Sequence, residues 1–220
     1  MQKITTLDGS ITFHNEQFDE SYHSRSGAKE EAVKKFVEPC KIKEIAKTGK
    51  LKILDVCFGL SYNTVAAIDA ALEENPDCKI EAVGLEIDTE ILNAITEIDA
   101  PFTNFFMMRE AVKNKKNNSY TYENKNIKIE ILLGDATEII KTINNEFDVV
   151  FLDPFSPKKC PKLWTAPFFA QIYKRMVPKG RLATYSCARV VRDNLKAVGF
   201  AVLDGPQLWR RGPSTIGVKL

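Results

Sequence analysis

Histidine is scarce in this sequence, and cysteine is not arranged to staple a chain or hold a metal. The two histidines, His14 and His23, are too few for a histidine-rich metal centre. The five cysteines, Cys40, Cys57, Cys78, Cys160 and Cys187, are odd in number and include no C-x-x-C. Both features argue against a disulfide framework and a zinc site, so no metal is expected. No apolar run approaches the roughly 18–20 residues that span a bilayer. The opening MQKITTLDGS has no apolar core of a secretory leader. A cytoplasmic protein with no membrane contact is expected, most simply a monomer. There are no internal repeats, and the dinucleotide fingerprint G-x-G-x-x-G is missing.

What is present is an ordinary globular balance, 44% hydrophobic and 27% charged over 220 residues, enough for one α/β domain with a small appendage. The net charge of +2 hides an asymmetry. Residues 158–220 hold 13 Lys and Arg against only Asp193 and Asp204, while the preceding residues are acidic overall. A basic final third suggests a surface facing a polyanion; the competing reading is a solvated surface with scattered charges.

From residue 51 onward, short apolar runs alternate with helical patterns. Residues 51–58, 80–87, 127–133, 147–152 and 181–186 read as strands, with short final strands at 200–203 and 215–219. Helices are expected at 63–74, after Asp88, and at 137–143, 167–176 and 190–198, the last stopped by Gly199. Repeated βα units imply a mostly parallel sheet with right-handed crossovers. Residues 1–50 do not follow this alternation. Asp8-Gly9 between apolar residues signals a hairpin, and residues 26–47 read as one helix. The expected division is therefore an N-terminal hairpin-and-helix extension, 1–50, on a core domain, 51–220. The polar stretch 113–126 reads as an exposed loop.

Ligands of such sheets bind beyond the carboxyl ends of the strands. The turn after the first core strand runs from Asp55 through Gly59 to Asn63, and Gly59 lets backbone N–H groups approach a ligand closely. The second strand ends in Leu85-Glu86-Ile87-Asp88, and a carboxylate there suits the vicinal hydroxyls of a ribose. The third ends in Gly134-Asp135, where an acid can meet an adenine amino group. Asp55, Glu86 and Asp135 thus read as an adenosine site. The same geometry serves NAD, but no pyrophosphate cradle is evident.

The fourth strand runs into Phe151-Leu-Asp153-Pro-Phe155-Ser-Pro157-Lys158-Lys159-Cys-Pro161-Lys-Leu-Trp164-Thr165. Three prolines in eight residues stiffen this loop at the carboxyl edge of the sheet. Asp153 is placed to hydrogen-bond an attacking atom. Phe155 and Trp164 are placed to stack on a base, or, in the alternative, Trp164 caps the core beneath the loop.

These segments, with Tyr22-His-Ser24-Arg25-Ser-Gly27-Ala-Lys-Glu-Glu31, Ala183-Thr-Tyr-Ser186, Val191-Arg192 and Ala197-Val-Gly-Phe200, resemble the methyltransferase half of the MnmC family of tRNA-modifying enzymes over most of the chain. The pattern F-L-D-x-F-x-P-x-x-x-P-x-x-W-T is its specific part. The resemblance implies a Rossmann-like class I methyltransferase fold of the α/β class, with S-adenosyl-L-methionine as cofactor. It implies methylation of the amine of 5-aminomethyluridine, usually 2-thiolated, at the wobble position of a tRNA anticodon loop. It further implies that Ser24, Arg25 and Gly27 border the cofactor together with Asp55, Gly59, Asn63, Glu86, Asp135 and Asp153. Asp153 is the expected catalytic residue, orienting the amine and accepting its proton. Phe155, Trp164, Lys158, Lys159, Arg189, Arg192 and Arg210 are the expected RNA contacts, with Lys174-Arg175 and Arg211 beside them. The family turn usually reads G-F-G-x-G-x-N; Cys57 and Ser61 depart from it here, as does Pro154 after the aspartate. The family's flavin oxidase domain is not expected within 220 residues, nor is FAD. Three alternatives remain: a methyl- or aminopropyltransferase acting on a small amine, an NAD-linked oxidoreductase, and a non-catalytic RNA-binding module.

Overall fold

The computed structural model describes residues 1–24, 26–208 and 212–220. The chain begins with three antiparallel strands, β1 (Gln2–Thr5), β2 (Ile11–Asn15) and β3 (Glu20–Ser21). The β1–β2 hairpin turns at Asp8-Gly9, as its sequence predicts, with Gly9 N–H donating to Thr6 O at 3.0 Å. Asp8 does more than turn the chain. Its Oδ2 accepts from the N–H groups of Lys29 and Glu30 at 3.1 and 3.2 Å, capping α1 (Ala28–Ala32) from across space. Partial burial would raise its carboxyl, but hydrogen bonds from Ser10, Thr6 and Glu30 bring it down to about 2.

The single helix expected at residues 26–47 is broken. After α1 come a wider π turn (Val33–Val37) and then, past Pro39 and a left-handed Lys41 (φ 57°), α2 (Ile42–Ala46). Proline lacks the N–H that would continue the helix, so the chain leaves the helical path there. Arg181 Nε fixes the break by donating to Pro39 O at 2.6 Å.

The core then alternates β4 (Lys50–Val56), α3 (Tyr62–Glu74), β5 (Lys79–Glu86), α4 (Thr89–Ala94) and α5 (Phe105–Lys113). It continues through β6 (Lys115–Lys116), β7 (Ser119–Glu123), β8 (Ile127–Leu133), α6 (Ala136–Thr142) and β9 (Phe147–Leu152). A 3₁₀ turn (Pro161–Trp164), α7 (Ala166–Lys174), β10 (Met176–Thr184), α8 (Arg189–Val198), β11 (Phe200–Asp204) and β12 (Thr215–Lys219) complete it. These strands form one sheet in the order β11-β12-β10-β9-β4-β5-β8-β7-β6. The five from β8 to β10 are parallel, and β12 and β7 run antiparallel to their neighbours. The parallel strands carry nearly continuous apolar runs because helices cover both faces. Core residues of α1 to α5 pack one face and those of α6 to α8 the other.

Residues 113–126 are not the loop their polarity suggests. Asn117 (φ 53°) and Asn118 make a two-residue turn between β6 and β7, and β7 pairs along β8. The alternation that would have disclosed the strand is short, with Tyr120 alone fully buried in it.

The chain leaves β4 outward through β5 and β8, then returns to β9 and β10 on the other side. The reversal lies between β4 and β9, and a crevice opens at their carboxyl ends.

Candidate functional site

The crevice floor is the turn from β4 to α3. Cys57, Gly59 and Ser61 all have left-handed φ, at 68°, 53° and 68°. Every second residue turns this way so that the chain can double back beneath the helix. Glycine does so freely, whereas a side chain costs roughly 1–2 kcal/mol per residue. The Ser61 hydroxyl is also buried without a hydrogen-bond partner among the described residues. Ser61→Gly is therefore expected to stabilise the fold by about 1 kcal/mol, seen as a higher urea midpoint. A lower midpoint would mean that the hydroxyl is held by a partner.

Glu86, at the tip of β5, is the best-held acid in the crevice. It is 6% exposed. Its Oε2 accepts from Gly59 N–H at 2.7 Å, and its Oε1 from Ile87 and Asp88 N–H at 2.8 and 2.9 Å. Burial raises its carboxyl above the ordinary range, and these three N–H groups offset part of that. The carboxylate still faces two adjoining cavities of about 370 and 300 Å³. The smaller one runs between the apolar walls of Leu85, Ile87, Ala136 and Leu163 to Asp135. Asp135 caps α6 through Oδ1, which accepts from Thr137 N–H and Oγ1 at 2.8 and 2.7 Å. The Thr137 hydroxyl leads the causes that lower its carboxyl. An apolar slot with a carboxylate at one end and Glu86 at the other fits an adenosine.

The larger cavity carries acids. Glu20, Glu31, Glu86, Asp88 and Asp153 line it, and none of its described lining residues is a lysine or arginine. Glu31 is neutralised from behind. Burial would raise its carboxyl, but Lys35, 2.5 Å away and almost fully buried, brings it down. His23 also lines the cavity, stacked on Tyr62 at 4.9 Å. Burial lowers its imidazole to about 4, so it is neutral near pH 7. Ser24 lines the same wall, its N–H donating to Glu31 Oε2 at 3.1 Å.

Asp153 follows β9 and projects into this cavity, its N–H bonded to Val56 O at 3.1 Å. Asn63 Nδ2, in the first turn of α3, donates to Asp153 Oδ2 at 2.9 Å and fixes the carboxylate. Phe155 lies beyond it, half-buried, against Phe18 and Tyr22.

Several expected roles change. Asp55 is 1% exposed and lies under the turn rather than on a cavity wall. Its Oδ2 accepts from Thr64 Oγ1 at 2.7 Å, while Oδ1 is buried with no hydrogen-bond partner among the described residues. Burial pushes its carboxyl well up, and the charges of Asp153 and Glu86 add to this. It thus sits beneath the turn and lines neither cavity. Asn63, 6% exposed, serves Asp153 instead of the cavity. Gly59 is covered by the Tyr22 ring. Gly27 lines neither cavity; a Cβ there would strike the Asp8 carboxylate. Trp164 is corrected most sharply. It is 3% exposed, its Nε1 donates to Phe155 O at 2.9 Å, and its ring meets Tyr185 edge-on. It caps the core and offers no face to a base.

The basic residues divide. Lys158 and Lys159 are exposed on the loop at the crevice, with Lys159 lining the smaller cavity, and Arg189 is exposed at the start of α8, 3.5 Å from Asp193. Arg192 instead pairs with Asp204 at 2.7 Å and ties α8 to β11. Arg175 donates to Ile140 and Lys141 O at 3.4 and 3.2 Å, at the opposite, amino edge of the sheet. That removes Arg192 and the Lys174-Arg175 pair from a polyanion surface at the crevice. Arg25, Arg210 and Arg211 lie outside the described residues. Sequence spacing missed Phe18, Glu20, Tyr22 and Asp88, whose contacts join distant segments.

A family model described as S-adenosyl-L-methionine-dependent methyltransferase matches residues 95–219. The chain belongs to this family. This methyltransferase is 34% identical to an uncharacterised protein of Methanocaldococcus jannaschii, over 98% of its own length and 59% of that protein's. It is 27% identical to the tRNA 5-methylaminomethyl-2-thiouridine biosynthesis bifunctional protein MnmC of Ectopseudomonas mendocina, over 84% of its own length but only 30% of that protein's. Its fold superposes on the crystal structure of MnmC2 from Aquifex aeolicus with a TM-score of 0.83, at 33% identity, covering 98% of this chain and 69% of that one. Human methyltransferase-like protein 13 in complex with SAH shares the fold at 17% identity and a TM-score of 0.52, over 83% of this chain and 77% of that one. Among the described residues, no helix is long and apolar enough to cross a membrane, and no cluster of three or more His, Cys, Asp or Glu is placed to hold a metal.

Proposed function

We propose that this methyltransferase methylates the primary amine of 5-aminomethyluridine, with or without 2-thiolation, at the wobble position of tRNA, giving 5-methylaminomethyluridine. The observation that carries the reading is Asp153, held by Asn63 in an acid-walled cavity beside Phe155, with Lys158 and Lys159 just outside. A cationic amine attached to a polyanion suits acid inside and lysine outside. The MnmC names of its relatives support the same substrate, and a tRNA substrate implies a cytoplasmic site of action.

S-adenosylmethionine supplies a methyl group already activated on a sulfonium, so the protein has mainly to position, desolvate and deprotonate. In this reading Glu86 holds the ribose hydroxyls, the Ile87–Leu163 slot and Asp135 take the adenine, and Ser24 borders the amino-acid end. Phe155 supports the base. An alkylammonium has no free lone pair, so Asp153 accepts the proton that frees the amine.

The test is transfer of tritiated methyl from S-adenosylmethionine to tRNA bearing the aminomethyl base, with unmodified tRNA as control. Incorporation into the first alone is expected, and label in neither would end the reading. Binding should weaken as salt rises. The double variant Lys158→Ala/Lys159→Ala is expected to lower the slope of log K against log salt by about one per lysine. A slope equal to the parent's would remove these lysines from the phosphate contacts.

A further inference from the structure

Residues 15–24 lie across the crevice and touch both of its halves. On the cofactor side, the Tyr22 ring sits over the nucleotide turn, with Cδ1 3.4 Å from the position of a Cβ on Gly59. Tyr22 Oη donates to Asp88 Oδ2 at 2.9 Å, two residues beyond Glu86. Asn15 Nδ2 braces this pair, lying 3.2 Å from Tyr22 Oη and 3.4 Å from Asp88 Oδ2. On the acceptor side, Ser156 N–H donates to Glu20 Oε2 at 2.8 Å, and Ser156 Oγ donates to Glu20 Oε1. Lys159 Nζ lies 3.6 Å from Asp19 Oδ2. Phe155 is in contact with both Phe18 and Tyr22, at centroid distances of 4.9 and 5.0 Å.

Glu20 opens β3, Tyr22 follows that strand directly, and both line the same cavity. A shift of either carries the other. Tyr185 Oη to Pro154 O and Trp164 Nε1 to Phe155 O hold the start of the acceptor loop, and Ser156 O accepts from the Lys159 and Cys160 N–H groups within it; the Ser156 N–H and hydroxyl go to the strap.

We propose that residues 15–24 form a strap coupling the cofactor side of the crevice to the acceptor loop, with Glu20 as the positioning residue that transmits through Ser156. The proposal rests on the reading above that the loop carrying Phe155 receives the acceptor. It predicts that loosening the acceptor side is felt by the cofactor.

The test is calorimetric titration with S-adenosylhomocysteine, which needs no RNA. Glu20→Ala and Tyr22→Phe are each expected to weaken binding about fivefold, the lower end of usual coupling between sites. Glu20→Gln keeps an acceptor for the Ser156 N–H and should stay within about twofold of the parent. The double variant Glu20→Ala/Tyr22→Phe should be little weaker than either single one, because both release the same strap. Losses that multiply to about 25-fold would overturn the proposal, as would single variants within about twofold of the parent. Should Glu20→Ala fail to fold, Glu20→Met, which keeps the stem of the side chain but no acceptor for Ser156, takes its place. A protein that shows this non-additive pattern yet leaves aminomethyl tRNA unmethylated keeps the strap and loses the tRNA reading.

Discussion

Asp153→Asn is expected to slow methyl transfer by about 10²–10⁴-fold near pH 7 and to regain much of that loss as pH rises. An alkylammonium resembles a lysine side chain, with a pKa of about 10, so about one molecule in a thousand is free to attack at neutral pH. A carboxylate at Asp153 takes the proton within the site, whereas an asparagine cannot. The variant would depend on amine already neutral in solution, so its rate should climb about tenfold per pH unit between roughly pH 7 and 9. The parent should change far less over that range. Asparagine preserves the shape and still offers an oxygen to Asn63 Nδ2, so the fold and the affinity for S-adenosylhomocysteine should hold within about threefold. A loss under tenfold, or parallel pH profiles for the two proteins, would take the proton-accepting role away from Asp153.

The parallel core was legible because its physics is local. β4, β5, β8 and β9 announce themselves by apolar runs of strand length, and the acids at their tips follow directly in sequence. Glycine positions were legible as turns. The need for left-handed backbone at Cys57 and Ser61 was not, because neither residue type advertises it. The helix over residues 26–47 failed at Pro39, where a local signal was present but outweighed by the apolar stripe around it. The β6–β7 hairpin failed because an edge strand needs few buried residues, and lysine and asparagine dominate it. The strap was invisible for a different reason. Glu20 and Ser156 are 136 residues apart and Tyr22 and Asp88 are 66 apart, so no spacing rule joins them. The acids lining the crevice could be placed on strand ends from sequence alone. Which of them face the cavity depended on side-chain direction, which moved Asp55 beneath the turn and Asn63 to the side of Asp153.

Trp164→Ala is expected to cost about 3–5 kcal/mol of stability, the range for removing a large aromatic from a packed core. The indole is buried among the residues of the α6–α8 face and meets Tyr185 at 5.9 Å with the rings nearly perpendicular. Its N–H is spent on Phe155 O, and Asn194 Nδ2 donates to Trp164 O at 2.9 Å from α8. The substitution opens a cavity, leaves the Phe155 carbonyl unpaired and loosens the start of the acceptor loop at once. In a chain of this size the loss corresponds to a fall in Tm on the order of 10 °C. Trp164→Phe separates the two possible jobs of this residue. Phenylalanine retains an aromatic face and most of the packing but not the N–H, so a residue that stacked on a base would keep much of its function. As a core residue whose hydrogen bond shapes the loop, it should instead lose about 1–3 kcal/mol of stability and raise the acceptor KM. A Trp164→Ala protein that melts with the parent but binds RNA poorly would return the ring to the RNA surface, which its burial contradicts.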